Sequence, residues 1–87
     1  MPHEIVVAPK ARRDLATLPH NALSKIDSNI LSLASNPRPV GSKKLKGLEN
    51  VFRIRVGDYR IVYQIEDKRL LVLAVRVGHR KDIYKGL

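Results

Sequence analysis

The sequence predicts an α+β fold of order β-α-α-β-β-β, an antiparallel sheet with two N-terminal helices packed on one face and a short C-terminal turn or helix. Three observations predict it. Apolar residues recur at helical spacing in the N-terminal part of the chain, they alternate with period two in the second half, and Gly57-Asp58 interrupts that alternation where a two-residue hairpin turn fits. At 87 residues the chain supports one modest core, so a single domain spanning residues 1–87 is expected.

The elements follow in order. His3 to Val7 is short and β-branched and reads as a strand. Pro9 suits the first turn of a helix, and Ala11, Leu15 and Leu18 then share one helical face until Pro19 interrupts. Leu23, Ile26, Ile30 and Leu33 form the stripe of a second helix that Asn36-Pro37 stops, giving an αα-hairpin. The stretch NPRPVGSKKLKGLEN is a connector with room for a short edge strand.

In Phe52 to Val56 and Tyr59 to Ile65 the apolar residues fall on one parity, and Gly57 stands at the first central position of a type II′ turn. That register sets Val56 opposite Tyr59, Arg55 opposite Arg60 and Ile54 opposite Ile61, so Arg53, Arg55 and Arg60 project from the face away from the helices. A three-residue loop, Asp67-Lys68-Arg69, then sets Gln64 opposite Val72 and Arg60 opposite Arg76. It also places Leu71, Leu73, Val75 and Val77 in the core. KDIYKGL is the terminal turn or helix.

Charge is concentrated. The net charge is +9, and residues 38–60 alone hold seven cations against two carboxylates, a balance that favours a polyanionic partner. Like charges directly opposite across a ladder cost stability, so folding does not explain Arg55 against Arg60. Guanidinium groups match phosphate geometry and stabilise charge on a transferring phosphoryl group. Arg53, Arg55, Arg60, Arg76 and Arg80 are therefore candidates to hold phosphate. Lys43, Lys44 and Lys46 of the connector and Lys81 of the tail extend the same basic surface, and a folded-back tail would offer Tyr84 as a platform for a base.

Other chemistry is not encoded in recognisable form. Cysteine is absent, His3, His20 and His79 lack ligand spacing, and there is no phosphate-binding glycine loop or nucleophile elbow, so neither a metal nor a cofactor is expected. No apolar run reaches membrane-spanning length and no leader pattern is visible, so a cytoplasmic protein without membrane contact is expected.

The stretches LKGLENVFRIRVGDYRIVYQIED and VRVGHRKDIY, with ARRDLATLP upstream, resemble the RelE family of bacterial and archaeal toxins within the RelE/ParE superfamily. The likeness covers nearly the whole chain and is most specific in GDYRIVY and VGHRKDIY. The resemblance implies a toxin of a type II toxin-antitoxin system, a ribosome-dependent endoribonuclease that cuts messenger RNA in the A site. It also implies a cognate antitoxin, RelB-like or other, encoded beside it, and the ribosome and messenger RNA as further partners. In the implied reaction the ribose 2′-OH attacks the adjacent phosphorus.

By position, the basic pair of the first hairpin strand falls on Arg53 and Arg55, the motif arginine on Arg60, the arginine after the last strand on Arg80 and the tail tyrosine on Tyr84. The resemblance gives Arg60 and Arg80 the scissile phosphate, has Arg80 assist the leaving group, and has Tyr84 stack on or orient a base. The family's best-known members carry lysines in the first strand, one proposed as general base. A guanidinium, which does not give up its proton, suits charge stabilisation at Arg55 instead. His79, beside Arg80 and carrying an imidazole suited to general acid-base work, is then the expected proton carrier, with Glu49 and Tyr84 as substitutes.

Two other functions fit the same composition. One is a ParE-like inhibitor of DNA gyrase without nuclease activity; the other is a non-catalytic basic module that binds nucleic acid electrostatically. In either toxin reading an acidic, partly disordered antitoxin would order on binding, with the Ala11/Leu15 helix and the open sheet face as docking surfaces.

Overall fold

The computed structural model describes residues 2–79 and 81–84, and of Lys81 and Asp82 the backbone alone. The elements are β1 (Glu4–Val7), α1 (Pro9–Ala16), α2 (His20–Ser32), β2 (Lys43–Lys44), β3 (Val51–Val56), β4 (Tyr59–Glu66) and β5 (Leu71–Gly78), with 3-10 turns at Asp67–Arg69 and Lys81–Tyr84. The fold is α+β, as the patterning predicts. Its five strands run in the order β1-β5-β4-β3-β2. The sheet is mixed: β2 to β5 are antiparallel, but β1 lies parallel to β5, because the αα-hairpin carries the chain back across the sheet before the remaining strands form.

Helix starts follow proline. Pro9 occupies the first turn of α1, and Pro19 immediately precedes α2. The Ile26, Ile30 and Leu33 stripe packs on Ile54, Ile61, Tyr63, Ile65, Val72 and Val77 in one core cluster. Each large apolar side chain buried there contributes on the order of 1.5–3 kcal/mol. α2 ends at Ser32, short of Asn36-Pro37, and a turn brings Ala34 to accept the His3 N–H.

The β3/β4 hairpin has the expected register, with Val56 paired to Tyr59, Arg55 to Arg60 and Ile54 to Ile61. Gly57 has φ +59 while Asp58 does not share the positive φ, the combination a type II′ turn requires. The β4/β5 connection departs from expectation. Glu66 pairs with Leu71, so four residues rather than three make the loop, and Leu70 closes it in the left-handed region at φ 51. That shift turns Leu71 and Leu73 away from the core and brings Val72 and Ala74 in. A bulge opposite Val62/Tyr63, with Val75 as the extra residue, restores the original parity, so Val77 returns to the core and Arg60 faces Gly78 rather than Arg76.

Two polar fastenings hold the periphery. Arg38 forks onto Asp67 at 2.8 and 3.4 Å, lies over the Phe52 ring at 5.3 Å, and shares Asp67 with His3 Nε2 at 3.2 Å. The buried Tyr63 hydroxyl donates to the Pro37 carbonyl at 2.7 Å, and burial raises its pKa above the usual phenol value. Together they tie the N-terminus, the connector and the β4/β5 loop to the sheet.

Candidate nucleic-acid interface

Strand alternation builds the site. On the face away from α2, Lys43, Arg53, Val62 and Arg76 stand in one row across β2 to β5, and Arg55, Arg60 and Gly78 in the next. With strands spaced about 4.8 Å apart, Lys43, Arg53, Arg55 and Arg60 form one patch of phosphodiester dimensions. Arg55 is exposed, and Arg53 and Arg60 are half-buried. Among the described residues none of these three has a carboxylate partner. Their positive field is therefore left for an outside anion.

The tail does fold back. An ideal Cβ on Gly78 would lie 2.6 Å from Ile83 Cγ2, which puts the terminal 3-10 turn on the arginine face. Ile83 is buried there, and Val62 beneath the same face is wholly buried. The next residue, Tyr84, lines an open cavity of about 400 Å³ with Leu45, Lys46, Gly47 and Leu48. This cavity has one aromatic wall, two apolar side chains and an ammonium group, a composition suited to a base with its phosphate. Lys46 thus lines the same cavity as Tyr84. The walls from Leu45 to Leu48 were not legible beforehand, since only the tail's return makes them part of a cavity.

Several expected contributors stand elsewhere. Arg76 belongs to the arginine parity but is engaged by α1: its Nε lies 2.9 Å and its Nη2 3.3 Å from the Asp14 carboxylate. Asp14 also accepts the Val77 N–H at 2.9 Å, where β1 has stopped pairing with β5. The expected place of Arg76 opposite Arg60 is thus corrected: it stands opposite Val62 and makes an internal ion pair with Asp14. A signal existed, because Arg76 is the sole charged residue of β5 and a lone charge in a mostly buried strand calls for a partner. Lys44 pairs with Phe52 and so turns to the helix side, away from the patch.

His79 also stands apart from the arginine patch. It shares parity with Val77 and stacks on Tyr59, ring centroids 5.5 Å apart and planes at 23°, beside a cavity lined by Thr17, Leu18 and Pro19. Its ring is therefore on the helix side of the sheet, whereas Arg53, Arg55 and Arg60 stand on the other parity. Glu49 lines a different cavity with Asn50, Glu66, Asp67, Lys68 and Arg69, at the far end of the hairpin. Arg80 and the Lys81 side chain lie outside the described residues. Ala11 is fully buried, so α1 presents other residues to any partner. Among the described residues no group of three or more potential ligands could hold a metal ion, and no helix is long and apolar enough to cross a membrane.

The chain as a whole is similar to known toxins. A family profile described as "ParE toxin of type II toxin-antitoxin system, parDE" matches residues 5–84. The chain is 36% identical to "Toxin RelG" of Mycobacterium tuberculosis over 98% of its own length and 99% of the relative's. It is 24% identical to "mRNA interferase toxin RelE" of Escherichia coli, over 83% of this chain and 77% of that one. Among solved structures, the toxin-antitoxin complex RelBE2 of Mycobacterium tuberculosis contains a chain that superposes with a TM-score of 0.81 at 33% identity, covering 92% of this chain and all of that one.

Proposed function

From the premise that the chain belongs to the RelE family of type II toxins, within the RelE/ParE superfamily, we propose that it is an endoribonuclease acting on messenger RNA in the ribosomal A site. The carrying observation is that Arg55 and Arg60 stand directly opposite each other, beside Arg53, on a face over which the tail sets Tyr84. In this reading the ribose 2′-oxygen loses its proton and bonds to the adjacent phosphorus. The bond from phosphorus to the 5′-oxygen breaks, leaving a 2′,3′-cyclic phosphate and, once protonated, a 5′-hydroxyl. Arg60 holds the scissile phosphate, and Arg53 and Arg55 stabilise the extra charge as the phosphorus becomes five-coordinate. Tyr84 orients the base, Lys43 and Lys46 hold flanking phosphates, and Arg80 joins Arg60 on the strength of the VGHRKDIY motif.

An antitoxin is the natural partner in the same reading. The RelBE2 neighbour is a toxin-antitoxin complex, and a chain of charge +9 is matched by an acidic segment that neutralises the arginine face. A gyrase-directed reading draws support from the ParE description of the matching profile. One experiment separates them. Primer extension on messenger RNA in a translating extract is expected to show discrete cuts within codons for the wild type, reduced at least a hundredfold by Arg60→Ala. Uncut messages with inhibition of DNA supercoiling would transfer the assignment to gyrase.

A further inference from the structure

The stack between Tyr59 and His79 is not used by the chemistry above, yet its position in the chain is distinctive. Tyr59 opens β4, half-buried on the helix side and packed against the core, and His79 is the residue with which the chain leaves β5. Their rings are near-parallel at 5.5 Å, an offset stacked arrangement. One residue earlier, on the opposite face, Gly78 receives Ile83. The exit from β5 is therefore gripped from both sides of the sheet, by an aromatic ring on one and by the tail's buried isoleucine on the other.

We propose that the Tyr59–His79 stack is a positioning device for the C-terminal turn, fixing where Lys81–Tyr84 crosses the arginine face and hence where Tyr84 meets the cavity wall at Leu45 to Leu48. His79 is thereby a positioning residue, acting through the tail. The inference rests on the nuclease reading for its consequence in catalysis but not for its structural content. Three facts support it. His79 is exposed and outside the core cluster, so its ring stabilises little beyond its own segment. The described tail has few other anchors, namely Ile83 on Gly78 and Tyr84 in its cavity. Ile83 and Tyr84 belong to one 3-10 turn, Lys81–Tyr84, which advances only about 2 Å per residue, so the buried isoleucine and the tyrosine move as one short unit.

Amide hydrogen exchange at Ile83 and Tyr84 tests this in the free protein, with no substrate required. Tyr59→Leu and His79→Leu are each expected to speed exchange at these amides by roughly two- to tenfold, the range an aromatic pair supports. The double variant should be no faster than the faster single one. Tyr59→Phe, which keeps the ring, should match the wild type, and amides of Ile54 and Ile61 in the core should not change. Wild-type exchange at Ile83 and Tyr84 in Tyr59→Leu, or equal acceleration throughout the sheet, would overturn the proposal. In the translating extract, cleavage by Tyr59→Leu should fall while Tyr59→Phe keeps the wild-type rate. Should the wild type make no cuts, the nuclease reading fails by itself and the exchange result still decides the positioning role.

Discussion

Asp14 and Arg76 are joined across the edge of the sheet by a two-point ion pair whose shorter arm is 2.9 Å, and the same carboxylate caps the Val77 N–H. Both side chains are largely withdrawn from water, at 18% and 22% exposure. Replacing Asp14 by alanine therefore removes both arms of the ion pair and leaves the Val77 N–H without its acceptor. A loss of about 2–3 kcal/mol is expected, read as a lower urea midpoint at unchanged slope. Arg76→Met should cost less, because Asp14 keeps the Val77 N–H and the methionine keeps the packing.

Arg55 opposite Arg60 is expected to trade stability for binding. Arg55→Thr removes a like-charge cross-strand pair from an exposed position and should leave the fold equally stable or up to about 0.5 kcal/mol more so. The same change should weaken binding to a single-stranded RNA and reduce the slope of log K against log salt by about 0.7, the share of one phosphate contact. Thermal melts and fluorescence titrations at several salt concentrations read the two effects separately.

Asp67 makes the outer fastening sensitive to acid. The Arg38 hydrogen bond, followed by that of His3, holds its carboxyl below the ordinary value of 3.8. The ionised form is thus favoured by the folded state. Its contribution is complete above that ordinary value, begins to fade as pH falls below it, and is gone once pH has dropped through the lowered folded value. Asp67→Asn should accordingly flatten the acid limb of a stability-pH curve while leaving its neutral plateau only slightly lower, as measured by denaturant midpoints from pH 2 to pH 7.

Leu70 is held at φ 51 and ψ 51, a conformation that costs an ordinary side chain about 1 kcal/mol. It is also partly exposed, at 39%. Leu70→Asn, which tolerates that region, is expected to raise the melting temperature by up to about 5 °C without altering the strand register. A fall in melting temperature would mean that the leucine's own packing outweighs its strain.

The parts of the fold legible in the sequence are those fixed by local chemistry. Gly57-Asp58 sets the β3/β4 register by itself, so Arg53, Arg55 and Arg60 could be placed on one face with no knowledge of the rest. The β4/β5 register could not be read in the same way. LLVLAVRV is apolar on both parities, and nothing in it marks Leu70 as left-handed or Val75 as a bulge. Arg76 was misplaced because its partner lies 62 residues earlier in the chain. His79 adjoins Arg80 in the sequence, but Val77, two residues before His79, already marks the helix side. The cavity at Tyr84 depends on a tail contact that periodicity does not encode.

The sheet order carries a consequence for synthesis. β5, made last of the described strands, sits between β1 and β4, and among the described residues β1 pairs with β5 alone. On the translating ribosome the αα-hairpin and the β3/β4 hairpin can form early, but the first strand stays unpaired until the final one emerges. A half-made chain therefore lacks both the closed core and the strand against which its tail returns over the arginines, so the site is completed last.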